Sequence, residues 1–79
     1  MINVVISLNM MKTPIEVDES TTTVAKALDD AGFDVNCNWS LDGDMVTGTM
    51  MHKTFLELGR NDGTAKYFLS SIQKTDSAR

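Results

Sequence analysis

The apolar residues change period once within the first 31 positions, and that change constrains the fold more than any other feature. Ile2, Val4, Ile6 and Leu8 alternate with Asn3, Val5, Ser7 and Asn9. A period of two with β-branched residues predicts a strand with one buried face. Met10-Met11-Lys12 reads as the turn that follows, and Ile15-Glu16-Val17-Asp18 alternates again as a second strand. Pro14 has no N–H to give to a ladder, so it belongs at a strand start or on a sheet edge. After Thr21-Thr22-Thr23, whose hydroxyls can cap a helix, Val24, Ala27, Leu28 and Ala31 fall at helical spacing. They predict a helix over residues 24–31 with one apolar stripe, closed by Gly32, with Phe33 folding back on the core.

Strands return after the helix. Residues 37–41 alternate as a third strand, and Asp42-Gly43 signals a hairpin because both positions tolerate positive φ. Met45-Val46 is the expected returning strand, and residues 47–53 read as loop. Thr54 can cap one helical turn, Phe55-Leu56-Glu57-Leu58, ended by Gly59. Asn61-Asp62-Gly63 is a turn, and residues 65–74, with Tyr67, Phe68, Leu69 and Ile72, read as the last strand. A chain of 79 residues allows one small domain and buries only roughly 60–65% of its extended surface. Residues 1–74 are the expected domain, and 75–79 a polar tail.

This order, two strands, a helix, a strand–turn–strand, a helical turn and a last strand, resembles the ubiquitin-like β-grasp family. The resemblance rests on the hairpin ending Ile15-Glu16-Val17-Asp18, the Thr-rich cap with helix 24–31 and Gly32, Trp39-Ser40-Leu41-Asp42-Gly43-Asp44, and Lys53-Thr54-Phe55-Leu56-Glu57-Leu58-Gly59. It covers residues 1–74 as a pattern, without a signature motif. It implies an α+β fold in which a mixed four- to five-stranded sheet packs on one helix, in a small bacterial or phage-type member of the family. The family's conjugating and sulfur-carrying members use a C-terminal diglycine. This chain ends Lys74-Thr75-Asp76-Ser77-Ala78-Arg79 and contains no Gly-Gly, so both activities are disfavoured. Other β-grasp proteins hold an iron–sulfur cluster on four cysteines; Cys37 is the one cysteine here.

Charge and composition exclude further classes. Seven Lys and Arg against eleven Asp and Glu leave a net charge of −4, and the basic residues stand singly, so a phosphate backbone finds no basic stripe. The longest apolar run, Val4-Val5-Ile6, is far short of a membrane span. The first residues lack the pattern of a signal peptide, and one cysteine does not suit a small secreted domain. The expectation is a cytoplasmic protein with no nucleic-acid, membrane, metal or cofactor partner.

No constellation reads as an active site. Cys37 with His52 as base has the residue types of a nucleophile pair, but reads better as a small thiol on a strand and a loop histidine. One Cys and one His fall short of a zinc site. Asp42-Gly43-Asp44 reads as a turn rather than a calcium loop, and Asp29, Asp30 and Asp34 as a solvated face near the helix end. The five glycines stand singly, each near a turn or cap.

The apolar surplus is the informative feature. The last strand has apolar residues on both faces, Tyr67 and Leu69 on one and Phe68 and Ile72 on the other. Lys66, Ser70 and Lys74 share the Phe68 side, so that side, with Val5 of the first strand, is expected to be open. In ubiquitin-like proteins the open sheet face is the usual docking surface. Methionine adapts to irregular surfaces, which makes Met10 and Met11 contact candidates; Met50 and Met51 invite the same reading or a gap-filling one. The function expected is therefore a non-catalytic interaction module that docks another protein, or itself, through Val5, Phe68, Ile72, Met10 and Met11. The alternatives are a carrier or modifier-like accessory protein that lacks the diglycine, and a small inhibitor of a host or defence enzyme.

Overall fold

The computed structural model describes residues 1–71. Strands β1 (Ile2–Leu8) and β2 (Met11–Val17) form a hairpin. Helix α1 (Val24–Asp30), strands β3 (Ser40–Leu41) and β4 (Asp44–Met45), helical turn α2 (Gly48–Met51) and strand β5 (Lys66–Ser71) follow. The strands make one mixed five-stranded sheet in the order β2-β1-β5-β3-β4. The β1–β5 pair is parallel and the other three pairs are antiparallel. The architecture is α+β.

Alternation in β1 decides which face is buried. Ile2, Val4 and Ile6 have no exposed surface. Leu69 of β5 and Leu41 of β3 lie beside them on the same face, because Ile6 pairs with Leu69 and Leu41 pairs with Leu69. Val24, Ala27 and Leu28 of α1 complete the core with Trp39, Val46 and Phe55. Phe33 and Trp39 meet edge to face at 5.8 Å.

α1 begins and ends as its sequence dictates. The Thr23 hydroxyl accepts from Lys26 N at 3.1 Å. At the other end Phe33 N–H donates to Leu28 O at 2.9 Å and Gly32 N–H to Asp29 O at 3.0 Å, the paired bonds of a Schellman ending. Gly32 takes φ +89° there, so the predicted stop is observed, with Ala31 as the cap rather than the last helical residue. Residues 54–57 form a capping box: Glu57 N–H donates to Thr54 Oγ1 at 3.1 Å, and Thr54 N–H donates back to Glu57 Oε1 at 2.8 Å. Val24 N–H donates to Lys53 O and Leu56 N–H to Glu19 O, which fastens this segment to the start of α1.

Four predicted boundaries are corrected. The first turn is Asn9-Met10, with φ of 51° and 73°, and Met11 and Lys12 already belong to β2. The third strand is Ser40–Leu41, not residues 37–41. Inward burial alternates through Phe33, Val35, Cys37 and Trp39, but a strand needs a paired neighbour and this stretch bends instead. Asn36 N–H donates to Asp34 Oδ1, and the Trp39 indole N–H to Asp34 O at 2.9 Å. The returning strand is Asp44–Met45 rather than Met45-Val46. Residues 47–53 contain α2, capped by the Thr47 hydroxyl on Met50 N, where a loop is expected; Met50 and Met51 pack half-buried against the core. β5 is described over Lys66–Ser71; Ile72, the end of the predicted strand and the tail lie outside the described residues.

Candidate functional site

Residues on the face of the sheet away from α1 fall into three rows set by strand register. The first runs Glu16, Asn3, Lys66; the second Pro14, Val5, Phe68; the third Lys12, Ser7, Ser70, Ser40, Met45. The middle row is apolar across three strands. Phe68 is 43% exposed and Met45 69% exposed; Pro14 is exposed and Val5 half-buried. Asn3, Val5, Pro14, Glu16 and Lys66 border a shallow groove on this face. Among the described residues, the elements carrying the core lie on the opposite side.

A local network holds Phe68 in place. Asp42, at φ 51° in the hairpin with Gly43, accepts the Phe68 N–H on Oδ1 at 2.9 Å. Its Oδ2 accepts from Arg60 Nε at 3.2 Å. Asp42 N–H donates to Phe68 O at 2.8 Å. The side chain of Asp42 thus adds a bond to a two-residue strand. Arg60 also donates to Leu58 O and reaches Asp44 at 3.7 Å, so Asp42-Gly43-Asp44 is a clasp on β5 and Arg60.

Val5 and Phe68 are register partners on one face, the side the sequence assigns as open. Leu69 is buried and Tyr67 half-buried on the other. Met10 and Met11 are not brought to this face. Met10 occupies the turn, 94% exposed, and Met11 pairs with Leu8 on the α1 side of the sheet at its end. Pro14 and Met45 also lie on the open face. Pro14 comes into register with Val5 because the turn is Asn9-Met10. Met45 depends on the pairing of β4 with β3, which no periodicity reveals in a two-residue strand.

The other chemistry-bearing residues are dispersed. Cys37 is half-buried against the core, and His52 caps α2 in an exposed position. Among the described residues no group of three or more His, Cys, Asp or Glu side chains clusters to hold a metal ion. No helix among them is long and apolar enough to cross a membrane. Four carboxyls sit below their ordinary range: Glu19, held by the N-terminal ammonium at 2.9 Å, and three to which hydroxyls and amides donate in the ionised form. Ser20 Oγ and N–H hold Asp18, Thr54 N–H and Oγ1 hold Glu57, and Thr64 Oγ1 and N–H hold Asp62. All three are turn or cap groups, and their shifts describe local structure rather than a reactive centre.

No protein-family model, curated protein or solved structure matches the chain.

Proposed function

We propose that this chain is a ubiquitin-like β-grasp domain acting as a non-catalytic interaction module of the cytoplasm, docking a partner protein on its open sheet face. The fold reading is supported by the strand order β2-β1-β5-β3-β4, the parallel β1–β5 pair and the helix between β2 and β3. The functional reading is carried by one observation: the apolar row Pro14, Val5 and Phe68 crosses three neighbouring strands on the face away from α1. Exposed apolar patches on small domains mark contact sites, and Phe68 gives the row an aromatic side chain with a large contact area.

The test is affinity co-purification from the native cell with wild type and Phe68→Lys, the fold of each checked by circular dichroism and urea midpoint. The expected result is a partner held by wild type and lost with Phe68→Lys, a loss of roughly 2 kcal/mol or more, as for a binding hot spot. A folded Phe68→Lys protein that keeps every partner overturns the reading.

A further inference from the structure

We propose that the open face is self-complementary and that the partner it takes is a second copy of this chain, packed sheet on sheet about a two-fold axis along β1. This rests on the docking reading above and names its occupant. The edges of the sheet point to the face first. β4 is an edge of two residues. β2 is the long edge, and Pro14 stands in its middle. A two-residue turn makes Leu8 and Met11 a hydrogen-bonded pair, and alternation along the ladder then makes Val5 and Pro14 a non-bonded one. The outward backbone positions of β2 are therefore Lys12, Pro14 and Glu16, and the central one has no N–H to donate. Strand addition at this edge lacks its middle bond.

The face has the opposite character. Rotation about β1 lays β2 of one copy over β5 of the other while each row keeps its level. Val5 meets Val5, and the Phe68 ring meets the Pro14 ring twice. Glu16 lies opposite Lys66 twice, and Lys12 lies opposite Ser70. No like charges face each other. Glu16 and Lys66 border the apolar row on one side, where charges fix register more than they add affinity. Three strands at 4.8 Å and five residues at 3.3 Å present roughly 240 Å² in projection, less than the ~800 Å² per partner of a standard interface. The dimer is accordingly weak and concentration-dependent.

Sedimentation equilibrium up to millimolar protein tests this with wild type, Lys66→Glu, Glu16→Lys and the double exchange. Both positions are exposed, so the fold tolerates all four. Self-docking predicts a concentration-dependent dimer, weakened about tenfold or more by either single reversal and restored by the double exchange. A wild-type chain that stays monomeric overturns it. So does a dimer indifferent to Lys66→Glu, as the other two-fold orientation, with Lys12 opposite Glu16, requires. A double exchange that fails to restore the dimer also overturns it. Monomeric wild type that still captures a Phe68-dependent partner removes the second copy but leaves the docking reading standing. A dimer or partner untouched by Phe68→Lys removes both.

Discussion

Asn9 and Met10 both hold positive φ, 51° and 73°, in a turn whose twist suits the hairpin but whose second position favours glycine. Asparagine adopts this conformation at small cost; methionine crowds its own carbonyl. Met10→Gly is expected to raise stability by about 0.5–1 kcal/mol, the relief of strain exceeding the added chain entropy, read as a higher urea midpoint. Asp42 is the converse case, a side chain whose two oxygens serve two donors, Phe68 N and Arg60 Nε. Asp42→Ala removes both bonds and the tolerance for positive φ, at a cost of about 1–3 kcal/mol. Asp42→Asn keeps an acceptor and costs less, and urea unfolding of the two variants checks the order. Both residues lie in turns marked by the sequence. Asp42-Gly43 is legible as a hairpin because its residue types suit the conformation. Asn9-Met10 is placed one residue late because Met10 does not.

At the scale of elements, caps and edges decide more than propensity. α1 is seven residues long, too short to persist alone, and it stands because Thr23 caps one end, Gly32 releases the other and Val24, Ala27 and Leu28 are buried. β2 survives Pro14 because, among the described residues, its outward side faces no strand. Pro14→Val therefore restores a donor to the long edge without removing a ladder bond. It is expected to leave the unfolding free energy from urea titration within about 0.5 kcal/mol of wild type while promoting strand-mediated oligomers. Light scattering during incubation at high concentration checks this. The third strand shows where alternation misleads: Val35, Cys37 and Trp39 turn inward at every second residue, yet the ladder starts only at Ser40, where β5 is alongside.

For the molecule as a whole, acid is the condition that addresses many of these local structures at once. Asp18, Glu19, Glu57 and Asp62 have pKa values below their ordinary 3.8, 4.5, 4.5 and 3.8, lowered by Ser20, the N-terminal ammonium, Thr54 and Thr64 respectively. Each binds its proton more weakly folded than unfolded. Their stabilisation is thus fully present above the unfolded values and lost as pH falls through the lower folded ones. Urea midpoints are expected to hold from pH 7 to about 5 and to fall below about 4. Glu57→Gln, which does not titrate, flattens part of that decline.

The sequence by itself determined the elements whose signals are local. The period of two in β1, the 3.6-residue stripe of α1, the Thr23 and Thr54 caps and the Asp42-Gly43 turn all arise from neighbours along the chain, so they could be read from it. The polar residues Lys66 and Ser70 beside Phe68 point to the open side of β5, but its register against β1 settles which side is buried. Only the tertiary structure decided the rest. Where β3 begins depends on β5, and Met45 reaches the open face through Ser40. Phe55 fills the core because residues 53–56 bond back to the chain at Glu19, Thr22 and Val24. Pro14, Val5 and Phe68 form one row because a parallel pair joins the two ends of the described chain. These are pairings between distant residues, and a period along one segment carries no record of which other segment lies beside it.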